Sequence, residues 1–234
     1  MAIKETPSKV STRRIRAVHR RLGGEPLTSS ADPGDAVLDG LIGTILSQHT
    51  SDTNSARAFA SLKKTFPSWD QVLDASVAEI AASIRSGGLA EMKAPRIKAI
   101  LQEIEDREHH LDLSRLYELS DAEVDAYLRS LPGVGPKTAA CVLVFSMGRA
   151  AFPIDTHVHR VTSRLGWIGP KTSADKAHDQ LAPRVPPEIR YSLHVALIRH
   201  GRQICKARRP LCTRCVILDF CEAGPRFLAN GEAR

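Results

Sequence analysis

Apolar residues recur at helical spacing along almost the whole chain, and no stretch alternates at the two-residue period of a half-buried strand. The pattern predicts an all-α protein with short loops. Ile15, Val18 and Leu22 share one helical face, with Ser11 placed to cap the start and Gly23 to close the end. Residues 35–47 carry Val37, Leu38, Leu41, Ile42 and Ile45, broad enough for a buried helix, and residues 51–66 follow with Ala56, Phe59, Leu62 and Phe66. Ser76-Val-Ala-Glu79 and Ser120-Asp-Ala-Glu123 are capping boxes that head two more helices, because serine and glutamate three residues apart satisfy each other's free backbone N–H groups. Between them Gly87-Gly88 breaks the chain, and a helix resumes from Met92 to about Arg107. A compact turn, Leu131-Pro-Gly-Val-Gly135, precedes a helix over 136–146, and later helices are expected from Thr156, Ser173 and Pro187.

The 234 residues suffice for one large domain or two small ones sharing a core, and 42% apolar content is that of an ordinary globular chain. Lys and Arg exceed Asp and Glu by 33 to 26, a net charge of +7 that favours a polyanionic partner without identifying it. No run approaches the ~20 apolar residues that cross a bilayer. Residues 1–10 lack the apolar stretch of a secretory signal, and the basic segment 11–21 reads as a folded helix in preference to an organelle transit peptide. The expectation is a cytoplasmic protein, nucleoid-associated if bacterial.

Gly133 and Gly135 can adopt positive φ and expose bare backbone N–H groups beside the start of a helix, an arrangement that receives a phosphate oxygen. Taken alone, the turn reads equally as an ordinary glycine-rich connection. Of five cysteines, Cys205, Cys212, Cys215 and Cys221 crowd together, with six, two and five residues between successive pairs. Four clustered thiols without a secretory signal point to metal before disulfides, and the chemistry admits either zinc or an iron–sulfur cluster. Cys141 stands apart among Ala139, Val142 and Val144 and reads as a buried small hydrophobe. Lys206, Arg208 and Arg209 fall in the first inter-cysteine interval, as a phosphate-contacting loop or a merely solvated one.

Three motifs in order, Leu131-Pro-Gly-Val-Gly-Pro-Lys-Thr-Ala139, Ile154-Asp-Thr-His157 and C-x6-C-x2-C-x5-C, make the chain resemble the endonuclease III family from about Asp35 to Cys221. The resemblance implies two all-α domains flanking a DNA-binding cleft. One, over 30–149, is a six-helix domain with a helix-hairpin-helix; the other joins 1–29 to 150–234 around a [4Fe–4S] cluster held by the four cysteines. It makes Lys137 the nucleophile and Asp155 its catalytic partner. The alternatives from the residues alone are a surface lysine contacting phosphate and an aspartate that simply caps the helix from Thr156. The two can meet: a helix from 136 to 147 is about 18 Å long, and residues 148–155 span up to about 26 Å.

The family's two base-stack-filling loops fall at Ser47–Asp52 and Gly88–Lys93. Gln48 or His49 is placed to face the orphaned base and Leu89 to wedge, although a core leucine is the plainer reading of Leu89. His49, Ala90 and Glu91 depart from the family's usual residues, which bears on lesion preference. With the turn residues Gly133, Val134 and Gly135, these complete the expected DNA contacts. The implied activity is a monomeric bifunctional DNA glycosylase and abasic-site lyase acting on oxidised pyrimidines in double-stranded DNA. A glycosylase of altered specificity, or a DNA-binding or redox module with weak catalysis, is the alternative.

Overall fold

The computed structural model describes residues 10–24 and 37–234. The expected helix start at Asp35 and the expected domain boundary between residues 29 and 30 lie outside the described residues. Helix α1 (Thr12–Arg21) is followed by α2 (Val37–Ser47), α3 (Asp52–Thr65), α4 (Trp69–Asp74), α5 (Val77–Ser83), α6 (Ala90–Glu108) and α7 (Asp121–Ser130). Then come α8 (Pro136–Cys141), α9 (Thr156–Arg164), α10 (Ala174–Leu181), α11 (Arg190–Gln203) and α12 (Gly224–Ala229). No strand occurs among the described residues. They fall into two compact units, residues 37–149 and residues 10–24 with 150–234.

In the first unit α2 is the central helix. Val37, Leu38, Leu41, Ile42, Ile45 and Leu46 are all buried, against α3, α6 and α8. Burying side chains of this size stabilises by roughly 1.5–3 kcal/mol each, which offsets the entropy of fixing the chain. Gly40 permits a close crossing: a Cβ there would lie 1.7 Å from Ser146 Oγ, in the π turn Val142–Ser146 that continues α8. Local chemistry sets the helix starts. Ser76 and Ser120 head capping boxes as the sequence predicts, and hydrogen bonds from those serines hold the Glu79 and Glu123 carboxyls below the usual glutamate range. A third box, Ser68 with Gln71, heads α4, a short helix beyond the six that the sequence pattern predicts in this region.

The second unit is assembled from distant parts of the chain. Ile15 and Val18 of α1 join Val158 and Val161 of α9, Leu181 of α10, Leu193 and Leu197 of α11, and Trp167 in one core. Polar contacts set how α1 docks. His19, 3% exposed, shares a 2.8 Å hydrogen bond with Ser192, Arg16 pairs with Glu188 at 2.5 Å, and Arg199 donates to the Leu22 carbonyl at 2.8 Å. The helix expected from Pro187 begins as a 3-10 turn, Pro187–Ile189, and becomes α-helical at Arg190. No described helix is long and apolar enough to cross a membrane.

Candidate active site

The turn after α7 takes the left-handed geometry expected of its glycines at Gly133 but not at Gly135, which is extended (φ −94°) because it stands at the N-cap of α8. Gly133 has φ 70° while Gly135 is exposed, and Val134 between them is 6% exposed and plugs the turn onto the core. The Val134 N–H donates to the Leu131 carbonyl at 3.2 Å. Glycine is needed at 133 twice over: its φ is left-handed, and an added Cβ would sit 2.6 Å from Arg96 Nε. Pro136 occupies the first position of α8, where its missing N–H is harmless. Lys137 follows, half-buried in the first turn, and Thr138 beside it is buried.

The two expected base-filling segments lie in this same unit. In the α2–α3 connection, Gln48 is half-buried and bonded on both sides. Arg96 Nη1 donates to its Oε1 at 3.0 Å, and its Nε2 donates to Thr138 Oγ1 at 3.2 Å. His49 is exposed with φ 55°. Gly88 (φ 69°) and Leu89 (φ 52°) are both left-handed, and Leu89 is 47% exposed at the start of α6. A leucine in that conformation is uncommon and strained by about 1 kcal/mol or more, so the fold holds an apolar side chain out at some expense. That answers the core-leucine alternative. The helix expected from Met92 begins two residues earlier, so Ala90 and Glu91 already belong to the first turn of α6, with Ala90 buried and Glu91 and Met92 exposed.

Lys93 escapes sequence reasoning. It is 4% exposed, and its ammonium donates to the carbonyls of Leu46 (2.7 Å) and Gly87 (3.0 Å), so it ties the end of α2 to the turn before Leu89. Burial pushes its amine below the ordinary lysine value. Only its spacing from the apolar residues of α6, Ala94 and Ile97, hints that it faces inward.

In the second unit Asp155 caps α9, its Oδ1 accepting from the Val158 N–H at 2.7 Å. The extended residues before it are pinned by α11: Arg190 donates to the Ala150 carbonyl, and His194 Nδ1 lies 2.8 Å from the Pro153 carbonyl. A carbonyl only accepts, so His194 carries its proton on Nδ1. Phe152 and Ile154 are buried on either side of that contact. The half-buried Asp155 carboxylate is thereby held at a fixed point of the backbone.

Cys205, Cys212, Cys215 and Cys221 line one pocket, walled mainly by apolar groups such as Val161, Leu165, Ile217 and Phe227, with Arg164 and His200 also on its wall. Burial pushes the Cys215 thiol up to about 11 and raises Cys212 and Cys221 as well. Thiols lining one pocket and raised by burial ionise only with compensating positive charge, which bound iron would supply. Four cysteine sulfurs lining one pocket, with hydrogen-bond donors close to two of them, are a ligand set that an iron–sulfur cluster takes.

Donors to sulfur are in place: Arg164 Nη1 reaches Cys205 Sγ at 3.2 Å, and the Gly224 N–H reaches Cys221 Sγ at 3.2 Å. Arg164 also donates to the carbonyls of Lys206 (2.7 Å) and Ala207 (3.0 Å), fixing the root of the loop that exposes Lys206, Arg208 and Arg209. Cys141 is buried and apart, as expected.

An all-helical chain with a helix–hairpin–helix turn and a four-cysteine pocket belongs to a class of DNA repair proteins. Residues 42–187 match the HhH-GPD superfamily of base excision DNA repair proteins, and residues 205–221 match the iron–sulfur binding domain of endonuclease III. The chain belongs to that superfamily as an endonuclease III-like DNA glycosylase with a [4Fe–4S] segment. A candidate DNA glycosylase of Arabidopsis thaliana is 44% identical over 171 residues, covering 73% of this chain and 58% of the plant protein's length. Endonuclease III of Sulfolobus acidocaldarius is 36% identical over 184 residues, 78% of this chain and 80% of that protein. A solved endonuclease III–DNA covalent intermediate, trapped with an estranged adenine, superposes with a TM-score of 0.76 at 26% identity, over 94% of this chain and 99% of that one.

Proposed function

We propose that this protein removes oxidised pyrimidines from double-stranded DNA and then cuts the strand, with Lys137 as nucleophile, Asp155 as its electrostatic partner and the four clustered cysteines as ligands of the [4Fe–4S] cluster. The observation that carries the reading is Lys137 itself: a half-buried amine in the first turn of α8, directly after the turn built on Gly133 and Gly135. The neutral amine attacks C1′ of a nucleotide taken out of the stack, and the base leaves with the electron pair of the glycosidic bond. Loss of the ring oxygen bond leaves an iminium between Nζ and C1′. That cation acidifies the 2′ hydrogen, whose removal expels the 3′ phosphate by β-elimination, and water then releases the enzyme. Asp155, held by its capping bond and the pinned segment before it, steadies the positive charge that develops at C1′.

Gly133, Val134 and Gly135, with Lys206, Arg208 and Arg209, contact the phosphate backbone, and Leu89 fills the gap left by the extruded nucleotide. Exposed Glu91, two residues beyond Leu89, favours a lesion range shifted from that of the family's usual members. The protein acts as a monomer.

Borohydride trapping on an abasic duplex tests this directly. Wild-type protein forms a covalent adduct, and Lys137→Gln forms none while still binding DNA. Asp155→Asn keeps a capping oxygen and its stability, yet slows single-turnover chemistry by about a hundredfold. A trapping-competent Lys137→Gln protein assigns the nucleophile to another amine. A wild-type protein that binds but never traps is a binding module.

A further inference from the structure

The hairpin, the turn before Leu89 and the α2–α3 connection expected to face the orphaned base are stitched together by two cations on one helix. Lys93 and Arg96 stand three residues apart on α6, so they share a face. Lys93 ties Leu46, at the end of α2, to Gly87, just before the strained Gly88-Leu89 pair. Arg96 lies against Gly133 of the hairpin and donates to Gln48, and Gln48 in turn donates to Thr138, next to Lys137. Gln48 thus has its carbonyl oxygen and its amide nitrogen both engaged within the protein. His49, one residue on, is exposed and held in left-handed backbone geometry.

We infer that Arg96 is a positioning residue, clamping the α2–α3 connection onto the hairpin and committing Gln48 to that clamp, so that His49 is the side chain presented to the base opposite the lesion. This rests on the glycosylase reading above and sharpens its specificity. Entry of Gln48 into the stack would break two hydrogen bonds, one from a guanidinium, and leave Arg96 and buried Thr138 without that partner. Entry of His49 breaks neither. An imidazole offers one donor and one acceptor when neutral, enough to distinguish the bases it faces.

The test measures affinity for a duplex carrying a tetrahydrofuran abasic analogue, with each of the four bases opposite, against the undamaged duplex. Arg96→Met lowers the ratio of analogue to undamaged affinity about tenfold, and Arg96→Lys, which keeps a donor, recovers part of it. Simple destabilisation reduces the folded fraction and leaves that ratio unchanged. Gln48→Ala combined with Arg96→Met is no worse than the worse single change, because both break one clamp. His49→Ala alters the order of preference among opposite bases, and Gln48→Ala keeps the wild-type order. Multiplying single-mutant effects, an unchanged ratio in Arg96→Met, or an order that follows Gln48 in place of His49 each overturns the inference. A wild-type protein with no preference for the analogue overturns the glycosylase reading itself, and the inference with it.

Discussion

Helix α2 buries six apolar side chains in the middle of the 37–149 unit, whereas residues 205–221 have only two 3-10 turns, at Cys212–Arg214 and Leu218–Phe220, around a pocket of thiols. The first region is held by ordinary helix packing and by serine caps that need nothing beyond the chain. The second has little regular backbone, three thiols raised by burial, and a basic loop rooted through Arg164. One unit is complete as polypeptide; part of the other is completed by its cofactor.

Iron separates the two regions. Cys212→Ser should lose most of the iron and its visible absorbance, and amide exchange over 205–221 should rise by orders of magnitude while α2 and α6 stay protected, since cluster binding free energy is local folding free energy. Equal loosening of both units would mean that the cluster supports the whole chain. A smaller effect is expected in the other unit. Ser120→Ala should destabilise α7 by about 1 kcal/mol, read as a shift in the denaturant midpoint, without changing iron content. Smallest in stability is the pair Arg208→Ala and Arg209→Ala. It should leave the unfolding midpoint nearly unchanged but make the salt dependence of DNA affinity shallower, by roughly 0.9 for each phosphate that is no longer neutralised. An unchanged slope would return that loop to a solvated surface.

The main helices, the capping boxes at Ser76 and Ser120, the hairpin glycines and the cysteine cluster were all legible along the chain, because each signal acts over a few residues. Ser68 with Gln71 is as local as those boxes, so α4 was open to the same reasoning. Apolar period likewise placed Ile15 and Val18 on one face of α1, although it said nothing of their partners.

What the tertiary structure decided is where polar side chains on those helices find their mates. Lys93 and Arg96 sit in an amphipathic segment where charged residues ordinarily meet water, yet their acceptors are Leu46, Gly87 and Gln48, brought close only when α2 and α6 pack. The proposed choice of His49 over Gln48 rests on that packing too, and the docking of His19 against Ser192 joins residues 173 apart in the chain. A cap is satisfied within one turn and so is written in adjacent residues. A hydrogen bond between helices depends on how their surfaces interlock, and no short stretch of sequence specifies that.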